Sequence, residues 1–242
     1  MAHQNLQHLA LILDGNRRWG RQRGIMMSVD FYVSSGLLGL DIARTAFRRG
    51  IEDLTIWIGS LSNLTDRPAL EIKALNKAYQ TFFSDEASLE FLEENQIKVD
   101  CFGRWRELLA PATVAAIENA LRRTENYNSG KRLTVLIGYD GNDERGEALR
   151  QIMESHAKPN SETSRDYANL LRQHSWTGHL PDVDLIIRTG CGDDPHNSAG
   201  FMSLLVDHSQ YAFLDTLWPD FTPEMLDQII DNFASRERRL GK

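Results

Sequence analysis

The sequence predicts a single α/β domain, spanning residues 1–242, with a mostly parallel central β-sheet flanked by helices. Short apolar runs alternate along the chain with longer segments of helical periodicity, which is the pattern of repeated strand–helix units. Polar clusters follow the first, second and fifth runs, where an open parallel sheet binds its ligand. No internal repeat, low-complexity tract or linker divides the chain.

Most of the predicted strands are short, mainly apolar runs that end in polar residues or glycine. The first, over 9–13, reads Leu-Ala-Leu-Ile-Leu and stops at Asp14, as a strand buried on both faces does. The remaining strands are expected over 54–58, 97–102, 133–138, 184–188 and 213–217.

The predicted helices lie between these strands. A helix over 37–49 ends before Gly50, and one over 69–94 has Pro68 near its first turn. A polar stretch over 158–164 is expected to be a surface loop. Further helices are predicted over 111–123, 144–156 and 223–239.

Composition excludes several classes of protein. The formal net charge of -7 argues against a nucleic-acid partner, because such a surface repels polyanions. Cys101 and Cys191 form no CxxC motif, so neither a disulfide framework nor a zinc site is expected, and a reducing cytoplasm is the expected compartment. No apolar run approaches the roughly 18 residues of a transmembrane segment, and the amino terminus lacks a signal-peptide core.

The first polar cluster, 14–19, follows the first strand and reads Asp-Gly-Asn-Arg-Arg-Trp. Mg²⁺ prefers one or two carboxylates together with phosphate oxygens, and arginine binds phosphate through paired hydrogen bonds. Gly15 allows close backbone approach at a helix amino terminus that favours an anion. The cluster therefore suits a diphosphate with Mg²⁺, although an ordinary polar turn explains these residues equally well.

Two further clusters follow later strands. Ser60 and Asn63, followed by Arg67, could position a phosphate, but a capped loop before the next helix is the simpler interpretation. Arg188, at a strand end and followed by Thr189 and glycines, is typical of an anion-binding turn. Asp193 and Asp194 could bind metal but are more often solvated loop acids.

Taken together, these motifs resemble the cis-prenyltransferases, the undecaprenyl diphosphate synthase family. The resemblance extends from residue 8 to residue 241 and includes His-Leu-Ala-Leu-Ile-Leu-Asp-Gly-Asn-Arg-Arg-Trp over 8–19 and Asp-Leu-Ile-Ile-Arg-Thr-Gly over 184–190. It also includes Asp-Thr-Leu-Trp-Pro-Asp-Phe over 215–221 and the ending Phe-Ala-Ser-Arg-Glu-Arg-Arg-Leu-Gly over 233–241.

The resemblance implies a prenyltransferase with a hydrophobic tunnel, a homodimeric assembly and Mg²⁺ as cofactor. Asp14 is implied to hold Mg²⁺ and to act in catalysis with Ser60 and Asn63, which match the family's Ser-x-x-Asn. Arg239 and Gly241 of one subunit are implied to complete the site of the other. The residues implied to bind substrate are Gly15, Asn16, Arg17, Arg18, Trp19, Arg67, Arg188, Thr189, Gly190, Arg239 and Gly241.

Most residues that depart from the family pattern align with residues that bind the second substrate in the family. The arginine and serine that hold isopentenyl diphosphate in the family align with Asn197 and Ala199, and a metal-binding glutamate aligns with Gln210. The Gly-His-x-x-Gly segment near 30–36 has no histidine, an arginine is missing at Met27, and the aromatic after Asn63 is Leu64.

This pattern is similar to the bacterial branch that makes branched, lavandulyl-type products. We therefore predict head-to-middle coupling of allylic prenyl diphosphates: dimethylallyl diphosphate with dimethylallyl or geranyl diphosphate. Two alternatives stay open, namely regular head-to-tail Z-elongation with isopentenyl diphosphate and a non-catalytic partner subunit. The rings of Tyr79, Phe82 and Phe83 could shorten the tunnel, but ordinary core packing explains them equally well.

Overall fold

The computed structural model describes residues 6–235 and places six strands in one sheet. All neighbouring strands pair in parallel, in the order β3-β4-β2-β1-β5-β6. The carboxyl ends of the strands therefore meet at one edge, called here the carboxyl rim. The strands are β1 (His8–Ile12), β2 (Asp53–Ser60), β3 (Lys98–Phe102), β4 (Arg132–Tyr139), β5 (Leu185–Arg188) and β6 (Gln210–Phe213).

Helices cover both faces of the sheet. Leu9 and Leu11 of β1 pack into the larger hydrophobic cluster, whereas Ala10 and Ile12 pack into the smaller one on the other face. This two-sided burial explains why the strand reads as an uninterrupted apolar run. The helices are α1 (Asn16–Arg23), α2 (Val29–Arg48), α3 (Leu61–Thr65), α4 (Ala69–Ser84), α5 (Glu86–Glu94), α6 (Trp105–Leu108), α7 (Pro111–Thr124), α8 (Gly141–Ser155), α9 (Ser164–His174) and α10 (Pro223–Ser235), with a 3₁₀ turn at Trp218–Asp220.

The predicted α/β class is confirmed, but the last strand is misplaced in the prediction. The structure has β6 at Gln210–Phe213 instead of 213–217. Every residue of β6 is only partly buried, because the strand lies at the edge of the sheet. An edge strand tolerates polar residues, so it gives no continuous apolar run in the sequence.

Two predicted helix boundaries are also wrong. α2 begins at Val29 and not at 37, and its start is capped by Ser28, whose hydroxyl accepts a hydrogen bond from the Phe31 N–H at 3.2 Å. The helix predicted over 69–94 is two helices, α4 and α5. Asp85 breaks them with an extended backbone, and its carboxylate accepts from the Ser88 N–H at 3.0 Å, as helix caps do.

Four helices, α1, α3, α6 and α9, have no counterpart among the predicted helix ranges. α1 contains three arginines among its first six residues and α9 is mostly polar, so each has few apolar residues to mark a core-facing side. α3 and α6 are only 5 and 4 residues long. The predicted helix over 223–239 is confirmed as far as Ser235, and its remainder lies outside the described residues. No helix within residues 6–235 has the length and apolar character to cross a bilayer.

Candidate active site

A cavity of about 480 Å³ opens at the carboxyl rim, between the turn after β1, the loop after β2, and helices α2 and α4. Its upper walls are polar and its inner end is apolar. A molecule with a charged head and a short hydrocarbon tail suits such a cavity. The predicted site residues that line it are Asp14, Gly15, Asn16, Arg17, Arg18, Ser60, Asn63, Arg67 and Arg188.

The turn after β1 is built around Gly15. Its φ is 105°, a left-handed backbone that favours glycine, and a Cβ there would lie 2.8 Å from Leu217 Cδ2. The Gly15 N–H donates to Asp14 Oδ1 at 2.6 Å, and α1 begins at the next residue, Asn16. The turn thus combines a carboxylate with the positive end of a helix, which favours an anionic ligand nearby.

Strand pairing brings Arg188 to Asp14, although 174 residues separate them. Arg188 is in register with Ile12, and its Nη2 donates to Asp14 Oδ2 at 3.0 Å, while its Nη1 donates to the His196 carbonyl at 2.8 Å. Arg188 is only 7% exposed, and its Nε has no hydrogen-bond partner among the described residues. A buried unsatisfied donor is costly, so a ligand oxygen is expected to accept from it.

Thr189 and Gly190 support this turn instead of lining the cavity. The Thr189 hydroxyl donates to the Asp14 carbonyl at 2.7 Å, and Arg18 Nη2 donates to the Gly190 carbonyl. Arg18 Nη2 also lies 3.7 Å from Asp14 Oδ1. These bonds fix the Asp14 backbone and hold one arginine on each side of its carboxylate.

A second basic group lies across the cavity mouth, around Glu71. Arg67 Nη1 donates to Glu71 Oε1 at 2.8 Å, and Arg17 Nε lies 3.8 Å from the same oxygen. The Tyr32 hydroxyl donates to it at 2.6 Å, and burial together with this bond raises the pKa of Tyr32. Sequence reasoning missed Glu71 and Tyr32. The signal available was the spacing of Arg67 and Glu71, which places them one helical turn apart.

Ser60 and Asn63 were interpreted either as a helix cap or as residues that position a phosphate. The Ser60 hydroxyl accepts from the Asn63 N–H at 3.1 Å and so caps α3. Both side chains nevertheless line the cavity. Ser60 Oγ also lies 3.0 Å from Ser62 Oγ, so the hydroxyl has a polar neighbour in addition to any ligand.

Trp19 does not line the cavity, in contrast to Arg21, which was not predicted as a site residue. The Trp19 indole N–H donates to Asp220 Oδ1 at 2.7 Å, and the Arg23 guanidinium lies 4.4 Å from the ring centre. Trp19 therefore anchors α1 to the 3₁₀ turn, while Arg21 extends the arginine series of α1 along the cavity wall.

Two of the three predicted rings reach the apolar end of the cavity. Tyr79 and Phe82 line it, whereas Phe83 packs in the core behind them. The Tyr79 hydroxyl donates to the Ile58 carbonyl at 3.0 Å. Gly36 faces the Phe82 ring, and a Cβ there would lie at an ordinary contact distance of 3.9 Å.

The loop that resembles the family's second-substrate site offers no arginine. Asn197 Nδ2 donates to the Phe201 carbonyl at 3.2 Å, and Asn197 Oδ1 accepts from the Ser198 N–H at 3.0 Å. Ala199 adopts a left-handed backbone, with φ of 44°. Ser198, which the sequence alignment did not single out, is the residue of this loop that lines the cavity.

Gln210 lies far from the carboxyl rim. It is the first residue of β6 and is in register with Leu185, whereas Phe213 is in register with Arg188. Three residues of strand span about 10 Å, and Gln210 is absent from the lining of the cavity. The metal-binding position that the resemblance assigns there is therefore not part of this cavity.

The protein groups around Asp14 could bind Mg²⁺ only together with a phosphate ligand. Asp14 is 40% exposed at its side chain and faces the cavity. The described residues contain no group of three or more His, Cys, Asp or Glu side chains that could hold a metal ion. One carboxylate completed by phosphate oxygens and water is an arrangement that Mg²⁺ accepts. Arg239 and Gly241 lie outside the described residues.

Comparisons with known proteins agree with this geometry. The undecaprenyl diphosphate synthase family profile, Prenyltransf, matches residues 12–241. The chain is 31% identical over 242 residues to an isoprenyl transferase of Thermus thermophilus, covering 98% of this chain and 89% of the relative. It is 32% identical over 235 residues to an isoprenyl transferase of Brucella abortus, covering 97% and 89%.

Two solved structures share the fold. One is lavandulyl diphosphate synthase from Lavandula x intermedia in complex with dimethylallyl diphosphate, with a TM-score of 0.83, 24% identity and 98% coverage of both chains. The other is a probable undecaprenyl diphosphate synthase from Campylobacter jejuni, with a TM-score of 0.71 and 25% identity, covering 99% of this chain and 100% of that one.

Proposed function

The chain is a prenyl diphosphate synthase that belongs to the undecaprenyl diphosphate synthase family of cis-prenyltransferases, and we propose that it joins two allylic diphosphates head to middle. The acceptor is dimethylallyl diphosphate, and the donor is dimethylallyl or geranyl diphosphate. The product is a branched diphosphate of the lavandulyl or isosesquilavandulyl type.

The observation that carries this proposal is the loss of polar groups for isopentenyl diphosphate. In place of an arginine, the loop has Asn197, whose amide is hydrogen-bonded to Phe201 and Ser198. In place of a serine it has Ala199, and Gln210 lies away from the cavity. A regular elongating enzyme needs those groups, whereas coupling between two allylic substrates does not.

The donor diphosphate is proposed to lie beside Asp14 and Arg18, and Arg188 is proposed to bind the diphosphate of the second substrate. Gly15 allows the donor diphosphate to approach the backbone, and the Nε–H of Arg188, which has no partner among the described residues, can donate a hydrogen bond to a phosphate oxygen of the second substrate. Asp14 would hold Mg²⁺, which supplies positive charge to the departing diphosphate when bound. Arginines fixed in advance by Asp14 and by backbone carbonyls stabilise that charge without reorganisation.

In the proposed coupling, the C1–O bond of the donor breaks and its electron pair stays on the departing diphosphate. The double bond of the acceptor then forms the new carbon–carbon bond, and a proton leaves the resulting cation. We propose that Ser60 and Asn63 position the acceptor's diphosphate, an oxygen of which takes up that proton, because both side chains line the same cavity as Asp14. Tyr79 and Phe82 close the apolar end and so favour short chains.

One observation in support of the proposal is that a lavandulyl diphosphate synthase has the same fold as this chain. Mg²⁺ dependence and a homodimer, in which Arg239 and Gly241 complete the partner's site, are part of the same proposal. The proposal also includes further substrate-binding residues. Three of them, Asn16, Arg17 and Arg67, line the cavity. The other three contribute indirectly: Trp19 anchors α1, and Thr189 and Gly190 support the turn at Asp14.

The test is a product analysis. Purified protein with Mg²⁺ is incubated with dimethylallyl and geranyl diphosphates, with and without isopentenyl diphosphate, and the dephosphorylated alcohols are identified. Branched alcohols from allylic substrates alone are expected. Linear Z-alcohols that form only with isopentenyl diphosphate would show regular elongation, and no product under any condition would show a non-catalytic partner subunit.

A further inference from the structure

A carboxylate lies directly behind the second basic group at the cavity mouth. The Glu71 side chain is only 11% exposed, and Glu71 is absent from the cavity lining, which includes Tyr32, Arg67 and Arg17. A ligand in the cavity therefore meets the tyrosine and the two arginines, with Glu71 in the layer behind them.

Glu71 and Tyr32 together hold one nitrogen of the Arg67 guanidinium. Arg67 Nη1 donates to Glu71 Oε1 at 2.8 Å and to the Tyr32 hydroxyl at 3.2 Å. The Tyr32 hydroxyl in turn donates to Glu71 Oε1 at 2.6 Å. The three side chains form a closed triangle of hydrogen bonds, so the guanidinium is fixed before any ligand arrives.

The other edge of the Arg67 guanidinium is available to a ligand. Within residues 6–235, neither Nε nor Nη2 of Arg67 forms a hydrogen bond or an ion pair. These two nitrogens make up the edge through which arginine binds two phosphate oxygens at once. An arginine held by Nη1 and open at Nε and Nη2 is thus oriented in advance for a diphosphate.

Arg17 extends this arrangement from helix α1. Its Nε lies 3.8 Å from Glu71 Oε1, which is close enough for an ion pair but too long for a hydrogen bond. Its side chain is half-exposed and lines the same cavity. Glu71 therefore attracts two arginines from different elements of the chain toward one opening.

We propose that Tyr32 and Glu71 are positioning residues, which orient Arg67, and more weakly Arg17, toward the diphosphate of a substrate. This role deepens the proposed function and rests on its assignment of allylic diphosphates as the ligands. The competing explanation is that Glu71 is only a negative charge behind two arginines. The two explanations differ in sign, because a mere negative charge opposes anion binding, whereas a positioning residue strengthens it.

The experiment measures the binding of dimethylallyl S-thiolodiphosphate by isothermal titration calorimetry with Mg²⁺. The bridging sulfur makes this analogue slow to ionise, so that binding is measured without turnover. Tyr32→Phe removes one hydrogen bond and no charge and should raise the Kd about fivefold. Glu71→Ala should raise the Kd about tenfold or more, and Glu71→Gln, which keeps an acceptor oxygen, should recover part of that loss.

A second set of variants tests whether the effect passes through Arg67. In an Arg67→Ala background, Tyr32→Phe should change the Kd by less than about twofold, because the arginine that the hydroxyl orients is gone. A general structural effect of Tyr32→Phe would instead add to the effect of Arg67→Ala.

Glu147 on α8 provides a matched control. Its side chain is 12% exposed, accepts a hydrogen bond from Arg150 Nε at 2.9 Å and lies 3.7 Å from Arg104 Nη2, but Glu147 does not line the cavity. Glu147→Ala should therefore keep the Kd within about twofold of wild type. Urea unfolding should show a cooperative transition in every variant.

Two results would overturn the positioning role. One is that Glu71→Ala binds the analogue as tightly as wild type or more tightly, and the other is that Tyr32→Phe weakens binding equally in both backgrounds. Failure of the proposed coupling has a different signature. Linear Z-alcohols in the product analysis would overturn head-to-middle coupling and leave the role of Tyr32 and Glu71 in diphosphate binding intact.

Discussion

The two ends of strand β1 both carry polar side chains within an otherwise apolar sheet, but they satisfy those groups differently. At the amino end, His8 is fully buried. Its ring nitrogens lie 2.9 Å from the Pro181 carbonyl and 2.8 Å from the Thr55 hydroxyl, and Asp184 accepts from the His8 backbone N–H at 3.0 Å. Each of these polar groups meets a partner within the protein.

At the carboxyl end, the polar groups form hydrogen bonds within the protein but can still bind a ligand. Asp14 receives hydrogen bonds from Gly15 and Arg188 and still keeps 40% of its side chain exposed. Arg188 keeps a buried Nε without a partner among the described residues. The difference teaches that a buried polar group is a functional signal when its hydrogen-bonding capacity is left open toward a cavity. When that capacity is filled, the group serves the fold.

The largest expected effect is the loss of activity in Asp14→Ala. The side chain orients two arginines and is proposed to hold Mg²⁺, so turnover should fall by about 10³-fold. Stability should change by only about 1–2 kcal/mol, the value of a lost charged hydrogen bond. Product formation and chemical unfolding measure the two quantities. Asp193→Ala, in the exposed loop, should stay within about twofold of wild type, and near-normal turnover of Asp14→Ala would remove it from the mechanism.

The next effect separates two neighbouring rings on α4. Phe82→Ala and Phe83→Ala should each destabilise the fold by about 3 kcal/mol, because both side chains are buried and leave a cavity. Only Phe82 lines the site, so only Phe82→Ala should shift activity toward longer allylic donors. Urea unfolding and product analysis with donors of increasing length provide the comparison. An equal shift in Phe83→Ala would show that general loosening of the core controls chain length.

A smaller effect is expected from Arg188→Lys. Lysine keeps the charge but cannot contact Asp14, the His196 carbonyl and a phosphate oxygen together. The value of kcat/KM should fall about thirtyfold, equivalent to about 2 kcal/mol for one charged hydrogen bond. Arg172 provides the contrast, because its guanidinium donates to the Gly178 and Leu180 carbonyls. Arg172→Lys should lower stability while kcat/KM stays within about twofold, and the reverse pattern would contradict the comparison.

The smallest effect is the pH dependence that His8 adds to stability. Burial lowers the pKa of His8 from 6.5 to about 4. Above pH 6.5 the residue is neutral in both the folded and the unfolded state and has no effect. As pH falls from 6.5 toward 4, only the unfolded state binds the proton, so stability decreases.

Between pH 7.0 and 5.5 this loss should amount to about 1 kcal/mol in wild type. It should be absent from the same comparison on His8→Gln, which cannot titrate. Urea unfolding at the two pH values, with activity at pH 7.0 as the readout of the active site, measures it. Identical pH slopes in the two proteins would show that His8 does not carry the effect.

Much of the fold was predictable because local sequence and burial agree. The inner strands β1, β2, β4 and β5 are buried along most of their length, so their residues form largely apolar runs, whereas the edge strand β3 alternates partly buried with buried residues. The edge strand β6 and the arginine-rich α1 gave no such pattern, since each is only partly buried. The break at Asp85 was missed because helical periodicity continues on both sides of it, and the cap appears only when the backbone is known.

For the candidate site, the sequence by itself determined the chemistry: a carboxylate, a glycine turn and arginines that follow strands at recognisable motifs. Only the tertiary structure decided which of them meet, because parallel pairing of β1 with β5 brings Arg188 to Asp14 and leaves Trp19, Thr189 and Gly190 as supports. Glu71, Tyr32, Arg21 and Ser198 entered the site through packing of α1, α2, α4 and the 197–200 loop. Such contacts depend on side-chain directions in segments that lie far apart in the chain. Apart from the one-turn spacing of Arg67 and Glu71, no local pattern encodes them.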